Sequence, residues 1–164
     1  MRLADLLSIS QILPDLRGDD QWGAIEEMVE HLDGLDRLCG EKKTEVLELL
    51  RERESKISTG IGSGVAIPHA FCEELEDVIC LFGRSREGVD FQALDHAPVH
   101  FIVLFLVPQS QYAAHLQTLA AIARMFKNCE TRRQLVEAES REEILAILEA
   151  TSGNQVPRKK VAKS

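Results

Sequence analysis

The sequence has little that is typical of a membrane protein, a secreted protein or a disulfide scaffold. Its longest apolar run, VHFIVLFLV (Val99–Val107), is about half of the ~20 residues that a membrane-spanning helix needs. The N-terminal MRLADLLSIS is too short and too acidic for a signal peptide. The four cysteines form no CxxC pair, so we expect free, mostly buried thiols and neither a zinc site nor a redox motif. We therefore expect a cytoplasmic protein without direct membrane insertion.

Basic residues are also scarce outside the C-terminus. The last eight residues, PRKKVAKS, contain four bases, and the other 156 residues carry 15 bases and 27 acids, a net charge of −12. This balance argues against nucleic acid as the main partner. It suits a basic protein partner or simply a solvated acidic surface, and composition does not decide between them. We expect one domain over residues 1–150 and a basic, disordered tail over 151–164.

The apolar pattern predicts alternating strands and helices. Strands are predicted over Ile9–Leu16, Val65–Ile67, Val78–Gly83 and Val99–Val107, the first of them at an edge because it contains Pro14. Helices are predicted from a cap at Asp19 or Asp20, from 41 to 54, from a cap at Ser110 to 126, over 130–138, and from SREE (Ser140–Glu143) onward. Val99–Val107 is apolar on both faces, which is typical of a central strand covered on both sides. We therefore predict a three-layer α/β/α domain around a mixed sheet of four to five strands.

The segment STGIGSGVAIPHAF (Ser58–Phe71) is the first candidate for function. Its glycines at 60, 62 and 64 permit positive φ and close approach of the backbone. Such a loop can present consecutive N–H groups to an anion, or it can be a plain tight turn. The pattern matches neither a P-loop nor a dinucleotide fingerprint, so both readings stay open.

His69 lies at the end of this segment, directly after Pro68. The proline fixes its own φ and keeps Ile67 extended, so the backbone position of His69 is rigid. A neutral imidazole is a nucleophile, and beside an amide-rich loop it suits acceptance of a phosphoryl group. The alternative is a histidine that ends a strand and bonds a carbonyl, and the residues alone leave the two readings about even.

His115 and Arg53 could complete such a site. His115 falls on the predicted inner face of its helix, near the C-terminal end of the central strand, where open α/β sheets commonly bind ligands. That face is predicted to contain Tyr112, Leu116, Leu119, Ile122, Ala123 and Phe126. Arg53, or Arg51, could pair with a phosphate at the end of the second helix. The alternatives are a core histidine and an exposed helix-end cation.

The residues STGIGSGVAIPHA strongly resemble the active-site segment of the enzyme IIA domains of the bacterial phosphoenolpyruvate-dependent phosphotransferase system, of the fructose/mannitol/nitrogen-regulatory type. RES (Arg53–Ser55), the segment from Gly88 to Pro108, and HLQTLAAIAR (His115–Arg124) resemble further family segments in order and spacing. The sequence departs from the family at Phe71, where many relatives carry a basic or small polar residue, and at the variable position Ser63.

The resemblance implies a role for each matching residue. His69 would accept a phosphoryl group from the phosphocarrier protein HPr and pass it to a IIB partner, while His115 supports the phosphohistidine and Arg53 approaches the phosphoryl group. Thr59, Gly60 and Ile61 would line the loop that faces it. The resemblance implies neither a metal nor a cofactor, and its fold is a mixed sheet between helical layers.

Three functions remain open at this stage. A nitrogen-type regulatory protein is favoured because the sequence contains no IIB segment. A fructose- or mannitol-type transport subunit is the first alternative. A binding module that is never phosphorylated is the second, and the presence of His69, His115 and Arg53 argues against it.

Overall fold

The computed structural model of the protein describes residues 3–35, 40–56, 60–73, 75–91 and 95–155. Thr59 and the segment 156–164 of the predicted basic tail lie outside these residues. The predicted domain boundary at residue 150 stays a prediction. Among the described residues, no helix has the length and apolar character needed to cross a bilayer.

The centre of the fold is a mixed sheet. Its strands are β1 (Ile12–Leu13), β2 (Gly60–Gly62), β3 (Val65–Ala66), β4 (His69–Cys72), β5 (Ile79–Val89) and β6 (Val99–Pro108). The order is β1-β5-β6-β3-β2, and β4 also pairs with β6. β3 and β4 pair one after the other with the same edge of β6, with Val65 opposite Phe101 and His69 opposite Phe105. The six strands therefore occupy five positions across the sheet. The predicted mixed sheet is confirmed.

Two helical layers cover the sheet. The helices are α1 (Gln21–Gly34), α2 (Glu41–Lys56), α3 (Tyr112–Met125), α4 (Cys129–Glu137) and α5 (Arg141–Gln155), and short 3-10 turns cover Leu3–Leu6, Ile9–Gln11 and Gln109–Gln111. One core packs α1 and α2 against the sheet. The other packs α3, α4 and α5 against the opposite face. The predicted three-layer architecture is therefore confirmed.

Side-chain hydrogen bonds cap the first turns of α1 and α5. Asp20 caps α1, since its carboxylate accepts a bond from the Gly23 amide at 2.8 Å. Ser140 accepts from the Glu143 amide at 3.1 Å at the start of α5, in agreement with the capping prediction. The predicted cap at Ser110 is wrong, because Ser110 lies inside a 3-10 turn and Gln111 occupies the N-cap position of α3.

Two strands differ in length from the prediction. β1 has only two residues, because Ile9–Gln11 forms a 3-10 turn, and the side-chain amide of Gln11 donates to the Cys80 carbonyl at 2.8 Å. β5 continues beyond Gly83 through a polar stretch that shows no apolar alternation. A bulge between Arg84 and Val89 permits this, with Gly88 at φ 97° and its amide donating to the Ser85 hydroxyl.

A buried arginine joins β5 to α4. Arg84 is 1% exposed. Its Nε donates to the Pro14 carbonyl at 3.0 Å, and its Nη1 donates to the carbonyls of Leu135 and Ala138 at 2.8 and 2.5 Å. The carbonyls of Leu135 and Ala138 lie at the C-terminal end of α4, where a positive charge also interacts favourably with the helix dipole.

The cysteine prediction holds for two of the three described thiols. Cys72 and Cys80 are free and buried, whereas Cys129 is free and exposed. Burial raises the pKa of the Cys72 thiol to about 11, so the thiol is protonated at neutral pH. Cys39 lies outside the described residues.

Candidate phosphoryl-transfer site

His69 begins β4 immediately after an interruption of the strand at Ile67 and Pro68. The Pro68 carbonyl still accepts from the Phe105 amide at 3.0 Å, although the proline itself has no N–H to donate. Since side chains alternate along a strand, His69 and Phe71 face the layer of α3, while Ala70 and Cys72 face the layer of α1 and α2. The proline thus brings His69 into register opposite Phe105, near the C-terminal end of β6.

The imidazole of His69 is fixed by its own backbone neighbourhood. Its Nδ1 lies 2.8 Å from the Ile67 carbonyl oxygen. A carbonyl only accepts, so Nδ1 carries the hydrogen and the neutral ring keeps its lone pair on Nε2. The carbonyl-bonded histidine and the nucleophile, which the sequence left as alternatives, are therefore compatible in one residue.

The protonation of His69 is biased toward the neutral ring. Burial lowers its pKa below the usual value, and the positive charge of Arg53 lowers it further, against the opposing effect of the bond to Ile67. A neutral Nε2 is the nucleophilic form. The surroundings of His69 therefore favour its neutral ring at neutral pH.

We expect the pKa of His69 to lie below about 6.5, the ordinary value for histidine, in a histidine-resolved NMR titration. Arg53→Met should raise it, because the substitution removes a repelling charge, but burial should still keep it low. Since the unfolded chain binds the proton at a higher pH, His69 should reduce stability as the pH falls through 6.5. A midpoint at or above 6.5 in the wild-type protein would contradict this assignment.

His115 lies in the first turns of α3 and faces the sheet as predicted. It is 6% exposed, and its ring packs edge-on against Phe105 with centroids 5.7 Å apart. Phe105 is also the strand partner of His69, so both histidines flank the same residue of β6. Its Nε2 lies 3.1 Å from Oε1 of Gln111. The structure therefore brings the two predicted histidines to one end of the sheet.

The rest of the predicted inner stripe of α3 is partly wrong. Tyr112 and Leu116 are 47% and 44% exposed. The buried positions of the helix are His115, Thr118, Ile122 and Met125. The apolar residues of α3 cover more than half a turn, so the pattern alone could not show which edge of the stripe faces the sheet.

Arg53 approaches the site from the C-terminal part of α2. It is exposed, and its charge acts on His69. It lines an open cleft of about 340 Å³ beside β4, together with Leu49, Glu52, Ala70, Phe71, Gln109 and Tyr112. The Phe71 ring packs edge-on against both His69 and Tyr112, with centroid separations of 5.9 and 4.6 Å. His69 itself does not line this cleft, and Phe71 lies between them.

The glycine-rich segment is a hairpin rather than an open loop. Gly60–Gly62 forms β2 antiparallel to β3, and the turn has positive φ at Gly62, Ser63 and Gly64. The Ser63 amide donates to the Asp95 carboxylate at 3.1 Å, so this amide is already bonded to a side chain of the protein. Gly60 pairs with Ala66, which directs the N-terminal end of β2 toward His69. The side chain of Ile61, like the whole of Thr59, lies outside the described residues.

The other three histidines bind backbone carbonyls or are exposed. His31 contacts the Ser10 carbonyl at 2.7 Å, and His100 contacts the Ser85 carbonyl at 2.9 Å in the β5 bulge. His96 is exposed with φ 60°. Gln111 and Phe105 were not among the predicted site residues. Gln111 could have been found from its position four residues before His115 on one helix face.

A protein-family model matches most of the chain. The model of the phosphoenolpyruvate-dependent sugar phosphotransferase system, EIIA 2, matches residues 5–151. The chain belongs to this family. This match confirms the predicted family. Members of the EIIA 2 family act as phosphotransferase components.

Two relatives carry different functional names. The nitrogen regulatory protein of Bradyrhizobium diazoefficiens is 32% identical over 148 residues, covering 90% of this chain and 95% of the relative. The fructose-specific EIIABC component of Bacillus subtilis is 34% identical over 148 residues, but the chain spans only 23% of that protein.

Solved structures of EIIA proteins share the fold. The nitrogen regulatory protein IIA-Ntr from Neisseria meningitidis superposes with a TM-score of 0.81 at 34% identity, covering 89% of this chain and 98% of the other. Enzyme IIA-mannitol from Escherichia coli, in its complex with phosphorylated enzyme IIB-mannitol, superposes with a TM-score of 0.72 at 18% identity, covering 88% and 97%. The second likeness establishes the fold alone.

Proposed function

We propose that this EIIA protein relays a phosphoryl group, accepting it on Nε2 of His69 from the phosphohistidine of HPr and passing it to a IIB partner or a regulatory target. The observation that carries the proposal is the bond from Nδ1 of His69 to the Ile67 carbonyl, which leaves Nε2 as the lone-pair nitrogen. The Nε2 lone pair forms the new P–N bond while the donor P–N bond breaks, and its electron pair returns to the donor imidazole. The Ile67 carbonyl then stabilises the positive charge that the phosphorylated ring carries on its Nδ1 side.

Transfer between two imidazoles requires alignment and charge stabilisation more than acid–base chemistry. The charge of Arg53 already acts on His69, so the same guanidinium is suited to oppose the negative charge of the transferring oxygens. His115 supports the phosphohistidine from the facing helix. Thr59, Gly60 and Ile61 complete the proposed phosphoryl-binding edge.

The surface around the cleft suits a basic protein partner with an apolar contact patch. Tyr112 and Leu116 are exposed one helical turn apart. Glu52 lines the cleft together with Tyr112, and further acidic residues are exposed on α2 and after β4, namely Glu48, Glu73, Glu76 and Asp77. Such a patch favours encounter with a positively charged partner, as expected for HPr.

A regulatory role is the version we favour. The nitrogen regulatory proteins of Bradyrhizobium diazoefficiens and Neisseria meningitidis are 32% and 34% identical to this chain, and the second superposes on it with a TM-score of 0.81. The second candidate is a sugar-transport EIIA, favoured by the 34% identity to the fructose-specific EIIABC component of Bacillus subtilis. The two versions use the same phosphoryl chemistry and differ in the acceptor.

The test is intact-mass analysis after incubation with phosphoenolpyruvate, enzyme I and HPr from the source organism. We expect one acid-labile phosphoryl adduct, which peptide mapping should place on His69. No adduct, with phosphorylation of HPr demonstrated in the same tube, would refute the relay and favour a binding module that is never phosphorylated.

Arg53→Ala should slow phosphorylation of His69 by about tenfold or more, because a charge-assisted contact to the phosphoryl group is worth roughly 1.5–3 kcal/mol. Arg51→Ala is the matched control. Arg51 lies two residues earlier on the same helix and forms an ion pair with Glu26 instead. The rate is measured by quenched-flow transfer from phosphorylated HPr. If the two substitutions slow the transfer equally, Arg53 contributes only to the general surface charge and makes no specific contact with the phosphoryl group.

A further inference from the structure

We infer that Gln111 is a positioning residue of the phosphoryl-transfer site, acting on the imidazole of His115. The inference rests on the proposed function and extends it to a residue that contacts His115. Gln111 would fix the orientation and the tautomer of His115 before the phosphoryl group arrives.

The side chain of Gln111 serves His115 instead of its own helix. Gln111 occupies the N-cap position of α3, where a polar side chain commonly accepts from the first backbone amides. Here the side chain makes no such capping bond. Its Oε1 lies 3.1 Å from Nε2 of His115, four residues further along the helix. The cap position is thus used to hold an imidazole.

The bond determines which nitrogen of His115 carries a hydrogen. An amide oxygen only accepts, so Nε2 of His115 is the donor. The other nitrogen, Nδ1, is buried and has no partner within the described part of the chain. Gln111 is therefore the one polar contact that the described residues give this ring, and the edge-on packing against Phe105 is its apolar contact.

A ring held by one hydrogen bond depends on that bond for its orientation. Without Gln111, both nitrogens of His115 would be buried without a partner, which favours rotation of the ring or entry of water. Catalytic groups need their orientation fixed by neighbouring contacts, since small displacements reduce the rate of a transfer that depends on alignment. We therefore expect the substitution of Gln111 to act on the rate of transfer more than on partner binding.

The test compares Gln111→Met, which keeps the length of the side chain and removes the acceptor, with Gln117→Met, an exposed position on the same helix. The rate constant for phosphorylation by phosphorylated HPr should fall about five- to tenfold in Gln111→Met, the value of one neutral hydrogen bond. Its KM for phosphorylated HPr should be unchanged. Gln117→Met should match the wild type in both, and Gln111→Ala repeats the test with a smaller side chain.

A second measurement reads the tautomer directly. Nitrogen-15 NMR of the unphosphorylated protein should show His115 as the Nε2–H tautomer in the wild type and in Gln117→Met, which keeps Gln111 as the acceptor. It should show a mixture of tautomers in Gln111→Met. Unchanged His115 signals in Gln111→Met, or an unchanged rate, would overturn the inference while the relay itself stands. Absence of any phosphoryl adduct on the wild type would refute the proposed function, and the inference would fall with it.

Discussion

Replacing His69 with glutamine should abolish phosphorylation of the protein by HPr without unfolding it. Glutamine has no imidazole nitrogen with which to form a P–N bond, so no residual rate is expected from this position. His69 is only half-buried. Its neighbours Pro68 and Phe71 keep β4 in place beside β6. The measurement is the intact mass after incubation with the complete phosphotransfer chain, together with a thermal melt.

His31→Gln is the matched control for this experiment. His31 also bonds a backbone carbonyl through its ring, but it does so on α1, in the opposite layer. The control should take up phosphate at the wild-type rate. An adduct that persists in His69→Gln would place the acceptor on another residue, whereas loss of the adduct in both variants would indicate damage to the fold.

Replacing Arg84 with methionine should lower the free energy of unfolding by about 2 kcal/mol or more, because two buried carbonyls and one partly buried carbonyl lose their bonds to the guanidinium and each such loss costs roughly 1 kcal/mol. The carbonyls belong to Pro14, Leu135 and Ala138, so the substitution releases both the end of β1 and the end of α4 from β5. Methionine keeps the apolar stem and isolates the effect of the guanidinium. Urea unfolding should show a lower midpoint with an unchanged slope.

Arg133→Met on α4 is the control for a surface arginine. Arg133 forms ion pairs with Glu130 and Glu137, and all three side chains are more than half exposed. Exposed pairs contribute little to stability, so this variant should unfold close to the wild type. If the two variants unfold at the same urea concentration, then the carbonyls around Arg84 find other donors and the arginine is not structurally required.

The sequence predicted those helices and strands whose local residue pattern agrees with their packing in the folded protein. Helix α1 was predicted with its cap because Asp20 precedes a regular apolar pattern, and β6 was predicted because a continuous apolar run needs cover on both faces. The polar half of β5 was not predictable in this way. It is a strand because it pairs with β6, which is a tertiary contact, and because the Ser85–Gly88 bulge adjusts its length to that of β6.

The candidate site also has features that the local sequence predicts and features that it does not. The interruption at Pro68 and the inward position of His115 could be read from neighbouring residues. The bond from His69 to the Ile67 carbonyl depends on a side-chain torsion, and the contact of His115 with Phe105 depends on how α3 lies on the sheet. Neither has a local signal. The same uncertainty in helix rotation explains why Tyr112 and Leu116 were predicted inside but are exposed.

The arrangement of the layers separates the parts of the sequence that can vary from those that cannot. Helices α1 and α5 supply many of the buried apolar side chains, yet no proposed site residue lies on either helix. Volume-conserving exchanges among Ile25, Met28 and Val29 should therefore be tolerated as long as the core stays filled. We therefore expect related sequences to differ first in α1, while β4 and the first turns of α3 retain their sequence.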